Sequence, residues 1–316
     1  MSSQSAPLDE LYASFASLNM EGGWHRRFPA LWSEPRKNFL PHIWHYAAVK
    51  PILARAGELI DTALAERRNL TMFNPVEGNV YATVRTIVAA YQMVRPGEFA
   101  RAHRHTPNAL RLILEGTGTF TVVDGKEVEM RPGDVLLTPN WAWHSHENKG
   151  CDDCYWMDFL DVPLVHLLEP MFYQPHPDGR ESDVVPLAEA PIAFRADDIA
   201  TRLAAATPDA AGVRQVTLGP ATLATLALDV VQLPASAMFA PPRETANAVY
   251  AVMRGDGALI VEDDRTAWSF GDTIAMPAWR EFALQAGAGG ALLLKVSDRA
   301  LLEKLGWYRT SADLAE

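Results

Sequence analysis

Four of the nine histidines in this 316-residue chain lie between Gly97 and Asn148, spaced as a metal site built on strands would need. His103 and His105 are two apart. In an extended segment side chains alternate with a period of 2, so both rings leave the same face and form a two-pronged clamp. His144 follows Pro139 and the pair Trp141 and Trp143, where a second strand folding back supplies a third imidazole. Three neutral nitrogens hold a divalent first-row metal. One histidine on an apolar strand is more often a hydrogen-bonded core residue than a ligand. Three within matching turn chemistry reverse that preference. His146, two residues beyond His144 on the same face, is expected to line the pocket and meet substrate or oxygen, or to support a ligand from behind.

The residues between these histidines read as barrel scaffolding. Gly116 and Gly118 break one apolar run, Asp124-Gly125 makes a hairpin turn between FTVV and EVEM, and Pro132-Gly133-Asp134 makes a tight turn before VLLT. Short strands at this spacing predict a small antiparallel barrel or sandwich whose mouth holds the ligands. The stretch resembles the cupin superfamily. Gly97, His103, His105 and Gly116 match its first motif, and Gly133, Asp134, Pro139, His144 and Asn148 its second. Cupins often add a glutamate four or five residues after the second histidine, where this chain has Ala109 and Leu110. A three-histidine site without an acid leaves the metal's full double charge and three open positions, room for a bidentate anionic substrate and dioxygen. Imidazole also suits zinc, copper and nickel, but open faces mark iron oxygenases, so Fe(II) is expected.

Residues 1–75 read as a helical arm, poor in strand signals. LDELYASFASL has apolar residues at helical spacing, and HIWHYAAVKPILARAGELIDTALAERRNL predicts one or two helices interrupted by Pro51 and Gly57. His25, His42 and His45 fall here, with structural roles favoured. Arg67 and Arg68 close the arm; arginine pairs in a linker are usually solvated, but one turned inward would clamp a carboxylate in bidentate fashion. The first barrel is placed over 76–178, with strand signals from near Val80, and includes Asp158, suited to orient a ligand or an arginine. The Pro-, Gly- and charge-rich FYQPHPDGRESD marks the start of a linker assigned to 179–205. His166 and His176 are expected to be structural or exposed. Cys151 and Cys154 form a lone CxxC with no second pair, read as two surface thiols without a catalytic role.

Residues 206–316 repeat the first barrel with its chemistry removed. Gly255 and Gly257 fall on Gly116 and Gly118, Gly271-Asp272 on Gly133-Asp134, and Pro277 and Trp279 on Pro139 and Trp141. The clamp positions become Pro242 and Glu244, the third ligand position becomes Phe282, and no histidine follows His176. The fold expected is therefore an all-β core with N-terminal helices, a bicupin whose second barrel has no metal site and serves packing and assembly.

A net charge of −11 with a pI near 5.3 argues against nucleic acid and against an anionic membrane surface as partners. The 48% hydrophobic content suffices for one large or two medium cores. No basic-then-apolar leader opens the sequence, and no apolar run approaches the roughly 18 residues of a spanning helix. A cytoplasmic protein is expected.

The full layout resembles the gentisate and salicylate 1,2-dioxygenase family. The likeness rests on RAHRHTPNALRLILEG, TPNWAWHSHEN, WHYA at 44–47, AGELI at 56–60, ERR at 66–68 and SDRALLEKLGWYR near the end. The resemblance implies Fe(II)-dependent opening of an aromatic acid by dioxygen, between the carbon bearing the carboxylate and the adjacent carbon bearing a hydroxyl. It implies His103, His105 and His144 as iron ligands, Arg111 and His146 as residues that meet substrate or oxygen, and Gln92 and Arg67 as further pocket residues. Asp158 would stand behind them, and a homotetramer is common among such proteins. Many relatives keep ligand histidines in both barrels, and two pocket positions expected to be tryptophan and glycine are Val88 and Ala90 here. The single site and altered walls make 5-nitrosalicylate the expected substrate, with gentisate or another substituted salicylate as the alternative. A metal-binding bicupin without catalysis is the second alternative. Other cupin oxygenases and isomerases usually want the missing glutamate and have no use for Arg111.

Overall fold

The computed structural model describes residues 5–24, 30–62, 64–188, 190–219 and 223–314; His25 lies outside them. The chain forms two compact units, Met1–Arg36 and Lys37–Glu316. In the first, Phe15 of the helix Ser5–Ser17 meets Trp24 edge-on, and Arg36 lies 3.8 Å over the Trp32 ring.

The second unit holds both barrels. The first is made of two six-stranded sheets facing one another. One runs Ala193–Phe194, Val135–Thr138, Ala109–Glu115, Cys154–Leu160, Val88–Val94 and Arg68–Met72; the other runs Tyr173–Pro175, Phe99–His105, His144–Asn148, Thr119–Val123, Lys126–Met130 and Val185–Pro186. The predicted hairpin closes at Asp124-Gly125, both at positive φ (45° and 73°), a conformation that Asp tolerates and Gly adopts freely. Among the described residues no helix is long and apolar enough to cross a membrane.

Val88–Val94 is buried at every position, because both its faces are covered. Its Tyr91 and Met93 join a core with Leu110, Leu112 and Met157, and that core continues into Val249, Ala251, Leu294 and Val296 of the second barrel. The opposite face of the same sheet carries Gln92, Arg111 and Asp158, so one sheet separates the apolar inter-barrel core from a buried polar layer.

The second barrel repeats the first down to individual hydrogen bonds. The Asn108 amide and side chain both donate to Asp161, and Asn247 treats Asp298 in the same way. The Trp141 amide donates to the His105 carbonyl, and the Trp279 amide to the Glu244 carbonyl, both tryptophans at positive φ. At the positions of Arg111 and Asp158 stand Tyr250 and Lys295, and Lys295 is ion-paired with Glu244 at 2.5 Å.

Three local expectations are corrected. The arm contains strands: His42–Trp44 pairs with Thr273–Met276 and Arg68–Met72 with Val88–Val94. Their partners are distant in sequence, and cross-strand pairing rather than local propensity decides such short segments. Pro51 and Gly57 do not interrupt the helix, which runs unbroken from Tyr46 to Leu59 with Tyr46, Leu53 and Gly57 on its buried side. Cys151 is exposed but Cys154 is buried, and burial raises its thiol pKa to about 11. It opens a central strand beside Gly116, whose missing side chain is required because a Cβ there would lie 2.7 Å from the Cys154 Cα.

Three further histidines find structural partners. His45 Nδ1 donates to Asp272 Oδ2 at 2.9 Å, tying the start of the helix to the second barrel. His166 bonds the Tyr81 hydroxyl at 2.7 Å, and the His176 ring packs against Trp143.

Candidate metal centre

Phe99–His105 and His144–Asn148 pair antiparallel with a register shift between Ala100 and His103, which sets His103 directly opposite His144. Without that bulge, which takes up Arg101 and Ala102, strict alternation would carry the histidines past one another. With it, the rings of His103 and His144 lie 4.3 Å apart, those of His105 and His144 4.8 Å, and those of His103 and His105 5.7 Å. One ligand atom from each of the three falls within 4.8 Å of the others, and among the described residues this is the one convergence of three or more His, Cys, Asp or Glu groups.

The tautomers follow from the backbone. Nδ1 of His103 lies 3.1 Å from the Arg101 carbonyl, Nδ1 of His105 2.8 Å from the Pro107 carbonyl, and Nδ1 of His144 3.1 Å from the Ala142 carbonyl. A carbonyl only accepts, so each Nδ1 carries the proton and each Nε2 keeps a free lone pair. His144 Nε2 is wholly buried without a partner. An orphaned buried acceptor amid two similar ones is what a bound cation would satisfy. Burial, reinforced by the positive charges of Arg67 and Arg111, lowers the pKa of His103 to about 3 and, followed by smaller contributions, that of His105 to about 4. Burial foremost, then Arg111, holds His144 well below the usual range, so all three are neutral near pH 7 as ligands must be.

Beside this triad lies a polar layer built on the facing sheet. Arg111 and Asp158 are cross-strand partners, and the guanidinium Nε sits 3.3 Å from Asp158 Oδ1 without the alignment of a hydrogen bond. Arg111 Nη1 donates to Thr138 Oγ1 at 2.5 Å. Asp158 accepts from Trp156 Nε1 at 2.9 Å and from Gln92 Nε2, and Gln92 Oε1 accepts from Arg67 Nε at 2.5 Å. Of the two arginines that close the arm, Arg67 therefore joins this network. Arg68 leaves the opposite face of its strand and pairs with Glu98 at 2.5 Å. His146 shares a strand with His144, 6.1 Å ring to ring, and neither of its nitrogens has a partner although the residue is 1% exposed. Burial first, then the positive charge of Arg111, keeps it neutral.

The structure thus brings together every residue singled out from the sequence: the triad, His146, Arg111, Gln92, Arg67 and Asp158. Sequence reasoning missed four neighbours. Thr138 is Arg111's hydroxyl partner, and Trp156 holds Asp158. Glu66 lies 3.9 Å from His103 Nδ1 and 3.6 Å from Arg67 Nη1, and the Tyr173 ring lies 5.3 Å from that of His103. A buried tryptophan usually needs an acceptor for its indole N–H, a signal that could have linked Trp156 to Asp158 two residues on.

Comparison with known proteins agrees with this geometry. Residues 90–162 match the cupin domain model. The chain is 33% identical to a gentisate 1,2-dioxygenase of Streptomyces sp, covering 96% of this chain and 95% of that protein. It is 32% identical to a 5-aminosalicylate 1,2-dioxygenase of Comamonas sp, covering 96% and 90%. A 5-nitrosalicylic acid 1,2-dioxygenase of Bradyrhizobium sp is 32% identical over a shorter stretch, 29% of this chain and 43% of that one. The crystal structure of a salicylate 1,2-dioxygenase from Pseudaminobacter salicylatoxidans superposes with a TM-score of 0.88 at 27% identity, covering 98% of this chain and 99% of the other.

Proposed function

The chain belongs to the gentisate and salicylate 1,2-dioxygenase family of cupins, ring-cleaving enzymes, and from that premise we propose that it uses Fe(II) to open a salicylate substituted at the ring position para to the hydroxyl. The observation that carries the metal is the buried, partnerless Nε2 of His144 in a cluster where one ligand atom each of His103, His105 and His144 lies within 4.8 Å of the others. His103, His105 and His144 would hold the ion through those atoms. Fe(II), when bound, would acidify a coordinated hydroxyl as a Lewis acid and offer open positions through which electrons pass from the aromatic ring to dioxygen.

The protein's part is binding and orientation. Arg111 is the cation for the substrate carboxylate, and Asp158 fixes its planar fork while Trp156 and Gln92 fix Asp158. Arg67, steered by Gln92, adds a second positive charge at the mouth. His146 is neutral, so one ring nitrogen is free to donate and the other to accept, and it can pass a proton to or from the reacting oxygen atoms. The packed apolar face behind the sheet excludes water, which strengthens each of these charge interactions.

Full-length relatives that act on gentisate and 5-aminosalicylate support a polar group at the para position. The shorter match to a 5-nitrosalicylate enzyme, with Val88 and Ala90 as walls, keeps 5-nitrosalicylate as the narrowest reading and gentisate as the second. We also read the second barrel as carrying no metal, and the enzyme as a cytoplasmic homotetramer; exposed Trp24, Leu31 and Trp32 supply apolar surface for assembly. The test is metal analysis followed by oxygen uptake on salicylate, gentisate, 5-aminosalicylate and 5-nitrosalicylate. A purified protein that binds no iron would end the metal reading. Iron without uptake on any of the four would leave a binding protein.

A further inference from the structure

Arg104 lies between His103 and His105 and points the other way, out of the back of the metal centre. Its guanidinium carbon sits 4.5 Å from the centroid of the Trp141 ring and 4.5 Å from that of Trp143, so the cation is gripped by two indoles. Its Nε and Nη2 both donate to Gln174 Oε1, at 2.9 and 2.7 Å, and Gln174 is its cross-strand partner on Tyr173–Pro175. One side chain therefore joins three segments: the strand that carries His103 and His105, the turn before His144, and the edge strand beyond.

What that turn does gives the grip its meaning. Trp141 and Trp143 flank Ala142, whose carbonyl accepts a hydrogen bond from His144 Nδ1 and so aims His144 Nε2. Trp141 holds a positive φ of 63°, which a bulky side chain adopts only when its surroundings enforce it. Its amide is tied back to the His105 carbonyl at 3.0 Å. The two halves of the triad thus meet at Arg104 from behind.

The second barrel supplies a comparison within the same chain. Arg243 stands at the position of Arg104 and Trp279 at that of Trp141, also at positive φ (61°), yet the cation lies 5.4 Å from that ring. The position of Trp143 is Glu281, so no second indole closes the sandwich. The tight, double-sided grip occurs only in the barrel that has the histidines.

We propose that Arg104 is a positioning residue for the metal centre: it locks the His144 turn to the His103 and His105 strand and so sets metal retention. The proposal rests on the three-histidine reading above. The experiment loads the full-length protein with Co(II) as a spectroscopic probe, then measures visible absorption and the rate of release to a chelator. Arg104→Met is expected to speed release by about 10-fold or more, the scale at which orienting partners of metal ligands act, and to alter the Co(II) spectrum. Arg104→Lys, which keeps the charge but loses the planar fork, falls between, and Arg243→Met leaves both readouts unchanged. Release at the wild-type rate with an unaltered spectrum in folded Arg104→Met overturns the proposal. Should that variant not fold, Gln174→Met keeps side-chain volume while removing the acceptor; faster release supports the staple and unchanged release overturns it. If the wild-type protein takes up no Co(II), the metal reading itself falls and takes the staple with it.

Discussion

Replacing Asp158 tests the polar layer at its centre. The Arg111 side chain is 1% exposed and that of Asp158 2%, so Asp158→Asn leaves a buried guanidinium whose remaining hydrogen bond goes to Thr138. Removing one partner of a buried ion pair costs about 3–5 kcal/mol, because the other charge stays desolvated. Trp156 keeps an acceptor in the amide, and Gln92 loses a charged one, a difference of about 1 kcal/mol. The expected loss is therefore about 3–5 kcal/mol. With a urea m-value of about 3 kcal/mol/M, the midpoint falls by about 1 M or more at constant slope. The double variant Arg111→Met with Asp158→Leu removes both charges and is expected to regain at least about 2 kcal/mol over Asp158→Asn, since apolar replacement of a buried pair is often neutral or better. Affinity for the aromatic acid does not return in the double variant, because the carboxylate's cation is gone. Equilibrium unfolding of five metal-free proteins, the wild type, Asp158→Asn, Asp158→Leu, Arg111→Met and the double variant, with oxygen-uptake KM for each loaded form, separates the two effects. An Asp158→Asn protein within about 0.5 kcal/mol of wild type would refute the coupling, as would a double variant whose loss is the plain sum of the single losses.

His144→Ala is expected to fold, bind iron at least 100-fold more weakly and lose oxygen uptake; uptake at wild-type level with iron bound would show the ligands are misassigned. The pH dependence of the metal-free protein follows from His103 and His105, whose pKa values fall from 6.5 to about 3 and about 4 in the fold. Below about 6.5 the unfolded chain takes protons that the fold refuses, so stability is full above that pH and falls by about 1.4 kcal/mol per unit per histidine on the way down to about 4. A urea midpoint that stays level from pH 7.5 to 5.5 would contradict this. In the second barrel, Lys295→Met strands the Glu244 carboxylate, leaving it the Tyr308 hydroxyl at 3.0 Å, and is expected to cost about 3 kcal/mol while kcat for ring opening is unchanged. A fall in kcat matching the fall in stability would tie the second barrel to the chemistry.

Much of the site was legible because it depends on alternation. The His103 and His105 spacing fixes a common face whatever the fold, and turns such as Asp124-Gly125 fix where strands reverse. The bulge at Arg101 and Ala102 was not legible, since no residue type there announces it, and yet it sets His103 opposite His144. Nor was the choice between Arg67 and Arg68, which requires the phase of a strand that exists only through pairing with Val88–Val94. His42–Trp44 was hidden for the same reason, because its partner lies some 230 residues away in Thr273–Met276. Thr138 and Trp156 illustrate a third limit: periodicity assigns a face, whereas the partner across that face comes from register.

The two barrels separate the residues that make this fold from those that give it chemistry. Asn108 with Asp161, Trp141 after Pro139, and Gly133-Asp134 each have a counterpart in the second half making the same backbone contact, so these specify turns and closure. At the interior positions the pattern diverges: Arg111 becomes Tyr250, Asp158 becomes Lys295, and His105 becomes Glu244. An ion pair survives in each barrel, but with its charges carried by different strands. In the first, Arg111 and Asp158 lie on neighbouring strands of one sheet and leave the histidine face free. In the second, Lys295 reaches to Glu244 at the His105 position, and Tyr308 bonds the same carboxylate, so the space used for ligands in one barrel is filled by side chains in the other. Reversing that filling is a demanding change. Histidines at 242, 244 and 282 would leave Lys295 buried without its partner, a cost of about 3–5 kcal/mol before any metal bound. Imidazoles at these positions and the buried Lys295–Glu244 pair therefore exclude one another, which accounts for two halves that share so many turns and so little chemistry.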